Sequence, residues 1–519
     1  MANKVSNHLH QLIHSLTGTE KRYFKKFAVR HSAKDKTAYL QLFEAIEKQS
    51  VYDEEKILEK LFKSSSKSAF SLSKNRLYHQ MLKSLDAFHS ESSVDSELNY
   101  YLHYAEILFD KALYDQCRRI LSSAEKIADK NEKWIALLQI IKHQKRLAEL
   151  NNYESAEENT IEKLANRELK ILKILDAEAG LWHRKSMVFA KLFKQGQVRK
   201  PNDVNLLRTQ IEEIKEFSDS HPISFEADYL SLHTQSAFYF STGDYINCHK
   251  ILKRNIELME SRLELVKGDP SIYISAITNI IYISAKLNLF SDVDTYLQKS
   301  RNMPVKLRSK ITADLQLRIF TNTYSLELAI CALSGNVERG IAAVKEVEKG
   351  LAKWDTQLSD VRKAGFYHTI STIYILANDF KKALSWNNKL LNTIPIEKSE
   401  DQYCFGKIMH ILIQYELGNY DAIPHSLKSL KRQLKLRKRK HDFENEFIEL
   451  MSYVSKADND QSHNSIFQDF ANKMEALETD PQNKIAFEYF DFKSWADAKI
   501  LGKPLAQLVR ERAPEKDVL

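Results

Sequence analysis

Eight short segments interrupt the helical pattern of this chain in the same way. In each, one or two small or polar residues precede an aromatic or apolar one, and a new amphipathic stretch begins there. They read Lys111-Ala-Leu-Tyr114, Leu150-Asn-Asn-Tyr153, Gln195-Gly-Gln-Val198, Thr242-Gly-Asp-Tyr245, Leu287-Asn-Leu-Phe290, Ser334-Gly-Asn-Val337, Ala377-Asn-Asp-Phe380 and Leu417-Gly-Asn-Tyr420. Their last residues are separated by 39, 45, 47, 45, 47, 43 and 40 positions. A period of this size is the signature of a helical array. Gly or Asn takes the left-handed conformation that ends one helix, and Asp or Asn caps the next. Three positions past each landmark stand Cys117, Ala156, Pro201, Cys248, Val293, Gly340, Ala383 and Ile423. Most are small, as a close helix crossing requires, and Cys117 and Cys248 read as compact packing residues rather than redox groups.

Only 12 Gly and 9 Pro occur in 519 residues, too few for the turns of a many-stranded fold, so the expected class is all-α. The turns of residues 98 to 440 resemble those of the tetratricopeptide-like (TPR-like) α-solenoids, with Thr242-Gly-Asp-Tyr245 and Leu417-Gly-Asn-Tyr420 the clearest copies. The family unit is shorter than these intervals. The resemblance implies a right-handed solenoid of antiparallel helical hairpins that binds proteins or peptides on a concave face. It implies no cofactor and no catalysis.

The array is flanked by two other segments. Residues 1 to 92 read as a basic module of five short helices, with Thr17-x-x-Glu20 as a capping box and Asp53 as a second cap. Between Lys63 and Ser73, 6 of 11 residues are Ser, which predicts a flexible loop. Residues 441 to 509 read as a helical cap, with helices near 442 to 456, 463 to 478 and 482 to 500 and an aromatic cluster of Phe487, Tyr489, Phe490, Phe492 and Trp495. Residues 510 to 519 are expected to be a disordered tail.

The four cysteines lie far apart with no paired spacing, which fits a reducing compartment. The N-terminal stretch has no apolar core of the kind a secretory leader needs, and the longest uncharged apolar run, Ser271 to Ala285, is 15 residues against the roughly 20 of a membrane span. The expectation is a soluble cytoplasmic protein with no membrane partner. Nucleotide-loop, zinc-protease and nucleophile-elbow motifs do not occur in the sequence, so an enzyme is not expected. His10 and His14 have a spacing that two metal ligands can share, but a polar stripe opposite Leu9, Leu12, Ile13 and Leu16 accounts for them, and no metal is assigned.

Net charge is +8; residues 1 to 91 contribute +6 and Lys428 to Lys440 another +8, so the remainder carries −6. The second run, Lys428, Lys431, Arg432, Lys435, Arg437, Lys438, Arg439 and Lys440, follows an apolar stripe of Leu427, Leu430 and Leu434 and is a candidate site for an acidic partner. Its plainer reading is a solvated helix end whose cations complement the dipole. A smaller set, Lys21, Arg22, Lys25 and Lys26, flanks Tyr23, Phe24 and Phe27, aromatic residues that serve either as core or as stacking platforms. Together the two runs support an alternative reading, a nucleic-acid-associated regulator. The groove reading instead selects His233, Asn279, Tyr282, Tyr324, Tyr367, His368 and His410 on first helices. Eleven residues before the landmarks, where some family members place a carboxylate-clamp Asn, only Asn279 matches. The expected function is therefore a non-enzymatic scaffold for a protein or peptide partner.

Overall fold

A computed structural model describes residues 7–31, 36–62, 67–89, 93–150, 158–195, 209, 211–214, 224–307, 312–393, 400–436, 442–456, 460–478, 480 and 483–512. Among them the regular elements are all helical, in agreement with the expected class. The chain divides into two compact units, Met1–Asp176 and Ala177–Leu519.

In the first unit, helices α1 (His8–Ser15), α2 (Gly18–His31), α3 (Lys36–Glu47), α4 (Glu54–Leu61) and α5 (Lys67–Phe88) enclose one apolar cluster built on Ile13, Phe24, Phe43, Ile46, Phe70 and Leu77. The capping box forms reciprocally: the Thr17 amide donates to Glu20 Oε2 (2.7 Å) and the Glu20 amide to Thr17 Oγ1 (3.3 Å). Asp53 caps α4 through the Lys56 amide (3.1 Å). The expected serine loop is shorter than its composition implies, because α5 starts at Lys67 and holds Ser68, Ser71 and Ser73. Burial of Phe70 (1% exposed) edge-on against Phe62 (5.0 Å) recruits this stretch into the helix; residues 63–66 lie outside the described set. A second cluster joins α6 (Val94–Asp110), α7 (Tyr114–Lys130) and α8 (Trp134–Ala148) around Leu98, Leu121, Leu137 and Ile141.

Between Tyr153 and Val198 the repeat calls for two helices. The structure has one uninterrupted helix of 38 residues, α9 (Glu158–Gln195). This stretch contains no Pro, a single Gly (Gly180) and many Leu, Lys, Glu and Ala residues, so nothing in it ends a helix. The turns at 150–153 and 195–198 fall largely outside the described residues.

The second unit continues with α10 (Phe225–Ser241), α11 (Tyr245–Ser261), the single turn α12 (Leu263–Val266), α13 (Pro270–Lys286), α14 (Phe290–Leu307), α15 (Ala313–Leu333), α16 (Val337–Lys353), α17 (Asp360–Leu376), α18 (Phe380–Thr393), α19 (Glu400–Glu416) and α20 (Ile423–Leu436). Helices α10, α13, α15, α17 and α19 each pack on the helix that follows their turn, and α13, α15, α17 and α19 also pack on one another in sequence. All six landmark turns within the described residues obey one rule. Their second residue has positive φ: Ala112 (58°), Gly243 (77°), Asn288 (58°), Gly335 (64°), Asn378 (57°) and Gly418 (74°). The residue three past the landmark is buried in every case, from Cys117 to Ile423. At Gly340 a Cβ would stand 2.8 Å from Ile373 Cδ1 and 3.4 Å from Cys331 Cβ, so that crossing is close. Gly350 is closer still: a Cβ there would fall 2.0 Å from the Phe320 ring.

Half-buried and buried carboxylates tie neighbouring helices together. Glu260 accepts from the Tyr273 hydroxyl (2.6 Å) and Lys299 (3.0 Å), joining α11, α13 and α14. Glu327, 5% exposed, pairs with Arg301 and Arg339 across α14, α15 and α16, and Arg339 also reaches Asp294 (2.5 Å).

The C-terminal part comprises α21 (Asp442–Val454), α22 (Asp460–Glu478), α23 (Lys484–Tyr489), α24 (Phe492–Leu501) and α25 (Leu505–Arg512). It shares one apolar core with α15 to α20, in which Phe443, Phe447, Phe492 and Trp495 are fully enclosed. The expected last helix, 482 to 500, is broken at Phe490 and Asp491, where Asp491 caps α24 through the Ser494 amide (2.8 Å). The expected tail from Arg510 begins as ordered helix: Arg510 and Arg512 belong to α25, and Arg512 pairs with Glu478 (2.8 Å) and Asp491 (2.6 Å). Residues 513–519 lie outside the described set.

Candidate functional site

The seven groove candidates separate into two groups. Asn279 and Tyr282 are exposed on α13, one helical turn apart, and the Lys286 ammonium lies over the Tyr282 ring (5.7 Å to the centroid). The other five are packing residues. His233 lies between the Phe189 ring (4.8 Å) and the Tyr229 ring (5.4 Å), and burial pushes its pKa down to about 4. Tyr324 leans on Phe320 (5.5 Å) with the Arg301 guanidinium over its face, and Tyr367 packs on Trp386 (5.6 Å). Burial also lowers the pKa values of His368 and His410. Of the other residues at the clamp position, Thr234 and Met409 are buried, and Thr369 donates to the Gly365 carbonyl (3.0 Å).

His368 shows why this face is closed. Its Nε2 donates to the Tyr489 carbonyl (3.0 Å), and its ring meets the Tyr489 ring edge-on (5.2 Å). Tyr489 in turn stacks on Phe405 of α19 (4.2 Å, 13°). Further along, the buried carboxylate of Glu416 accepts from Trp495 Nε1 (2.6 Å) and Lys499 Nζ (2.5 Å). Arg510 donates to the Gly335 carbonyl (3.0 Å), and a Cβ at Gly335 would sit 2.5 Å from the Ala506 carbonyl oxygen. The chain's own segment Lys484–Arg512 thus crosses α15, α17 and α19, beyond the last hairpin where a cap was expected. It leaves a cavity of 140 Å³ lined by Ala332, Leu333, His368, Thr372, Tyr489 and Leu505, among others. Glu416 and Arg510 were not among the sequence candidates. The available signal was the indole of Trp495, which needs an acceptor once buried.

The basic candidates also separate. In α2, Lys21 pairs with Glu47 (3.2 Å), and Lys25 pairs with Glu47 (3.4 Å) and Glu44 (3.8 Å). Phe24 is core, and Tyr23 packs on Phe27 and Phe88, so this segment is no stacking platform; Arg22 and Lys26 remain exposed. In α20, Leu427, Leu430 and Leu434 are buried as expected, while Lys428, Lys431, Arg432 and Lys435 are exposed. These four stand at i, i+3, i+4 and i+7 on one face, α20 contains no Asp or Glu, and none of the four has a carboxylate partner among the described residues. Like charges at this spacing repel by roughly 0.2–0.5 kcal/mol per pair. Beside them, the half-buried Lys407 of α19 donates to the Ser429 hydroxyl (2.9 Å), and burial lowers its pKa. Arg437, Lys438, Arg439 and Lys440 lie outside the described residues.

All four cysteines are free and buried, and burial pushes their thiols up, Cys248 to about 12 and Cys331 to about 11, so these two are not thiolates at neutral pH. His10 donates to the Gln49 carbonyl (2.9 Å) and stacks on His14 (4.2 Å). Among the described residues no group of three His, Cys, Asp or Glu side chains is placed to hold a metal ion, and no helix is long and apolar enough to cross a membrane. No protein-family model and no curated protein matches the chain.

Proposed function

We propose that the hairpins of this chain form a TPR-like solenoid and that the protein is a cytoplasmic, non-enzymatic scaffold that recognises a protein or peptide partner. One observation carries the reading. Six turns share a left-handed second residue, a new helix and a buried residue three positions on, and the first helices α13, α15, α17 and α19 pack on one another in sequence. That is the construction by which helical repeats share a continuous apolar spine and keep one long face for docking. Because Lys484–Arg512 covers the first helices from α15 to α19, the open part of that face is assigned to α13. There Asn279 supplies amide donors and an acceptor, Tyr282 an aromatic body with a hydroxyl, and Lys286 a cation, a set suited to a peptide with a carboxylate and an apolar side chain.

The test is affinity purification of the tagged full chain from its native cell at low salt, with and without nuclease, against an Asn279→Ala/Tyr282→Ala variant. Protein partners that survive nuclease and are lost from the variant support the scaffold. Turnover of a defined substrate by the purified protein, or a partner set unaffected by the variant, refutes it.

A further inference from the structure

We propose that the exposed cationic face of α20 binds the phosphate backbone of a double-stranded nucleic acid. The ligand class follows from what the face holds and what it lacks. Lys428, Lys431, Arg432 and Lys435 line about 10 Å of helix axis on the side away from Leu427, Leu430 and Leu434. They repel one another and have no counter-charge among the described residues, so a polyanion relieves a cost that the described fold leaves in place. Lys407, an ammonium half withdrawn from water and bonded only to the Ser429 hydroxyl and the Tyr403 ring face, stands on the flank of the same surface.

Other polyanions fit less well. Among the described side chains from Ile423 to Lys435 no large hydrophobic one is exposed, so this stretch offers no apolar anchor to insert into a lipid surface. Within α20 the one exposed ring among the described residues is that of His425, fewer platforms than the successive bases of a single strand stack on. The face also lacks the buried aromatic or aliphatic anchor around which a specific protein interface is organised. A row of exposed charges along one helix face is what sequence-independent phosphate contacts need. This inference does not rest on the α13 face, because the cations lie on a second helix.

The experiment measures binding of the full chain to a fluorescent DNA duplex of about 20 base pairs by anisotropy, as salt is raised from about 50 to about 200 mM. If the four cations each meet a phosphate, they contribute about −3.6 to the slope of log K against log salt, roughly a 150-fold loss of affinity over that range. A K428Q/K431Q/R432Q/K435Q variant should then show a slope shallower by about 3.6, with a circular-dichroism melt at or above that of wild type because the repulsion is relieved. Lys428→Gln and Lys435→Gln alone should each reduce it by about 0.9, which keeps the test decisive whatever the quadruple change does to folding. Equal slopes in wild type and variants overturn the proposal. So does tighter binding, at equal salt, to poly-glutamate or to phosphatidylserine vesicles than to the duplex.

Discussion

Replacing Glu416 by Ala should destabilise the second unit by about 1–4 kcal/mol. Glu416 is buried at the end of α19 and accepts from both Trp495 Nε1 (2.6 Å) and Lys499 Nζ (2.5 Å). Trp495 is 1% exposed, and without the carboxylate its indole N–H loses its acceptor. A buried donor left unpaired costs roughly 1–3 kcal/mol. Lys499 is about a third exposed and can turn to solvent, so its share of the loss is about 0–1 kcal/mol. At roughly 2 °C per kcal/mol for a unit of this size, the calorimetric transition should fall by about 2–8 °C. Glu416→Gln keeps an oxygen for the indole and should lose less than half as much. Limited proteolysis should cut the Ala variant within Lys484–Arg512 before the wild type. A Glu416→Ala melt within about 1 °C of wild type would refute the argument that this segment is held by a buried acceptor. Equal losses for Ala and Gln would show that charge, not the indole hydrogen bond, carries the contact.

Two further predictions rest on other contacts. Gly350→Ala drives a methyl into the Phe320 ring and should cost about 1–3 kcal/mol in chemical denaturation, whereas the same change at Gly18, exposed at the start of α2, should not reproduce it. His233 has a folded pKa of about 4, below the ordinary value of 6.5, so the unfolded chain binds the extra proton first and stability falls as pH drops from about 7 toward 4. From pH 7.5 to 5 this one residue accounts for about 2 kcal/mol, and denaturation of His233→Phe at the two pH values should show a pH-dependent loss smaller by that amount.

What could be read from sequence was the information carried by short-range geometry. A left-handed residue followed by a capping side chain is a four-residue signal, so Gly243-Asp244 and Gly335-Asn336 could be placed before any tertiary contact was known. The same rule failed between 153 and 198 because spacing alone was carried through a stretch whose composition is helical throughout. Serine composition misplaced the start of α5 because the decisive force, burial of Phe70, acts across the module. The groove residues were chosen as polar or aromatic positions on first helices. Those helices pack on both sides and beneath Tyr489, so rings such as Tyr367 and His368 became interior. That fold-back joins residues separated by 121 and 175 positions, a distance over which no local pattern carries information. The cationic face of α20 was legible because its apolar stripe and charge run share one helical period, whereas pairing of Lys21 and Lys25 with Glu47 depends on how α2 meets α3.

The central claim is that the residue three past each landmark marks a close crossing of the two helices in a hairpin, and disulfide trapping tests it most directly. A Cβ at position 340 would lie 3.4 Å from Cys331 Cβ, next to the roughly 3.5–4.5 Å typical of disulfides, while the three other cysteines are buried elsewhere. Gly340→Cys, oxidised under mild conditions and digested, should yield one cross-linked peptide joining α15 to α16 through Cys331. Recovery of both thiols alkylated, or a cross-link to Cys248 or Cys404 instead, would contradict the account.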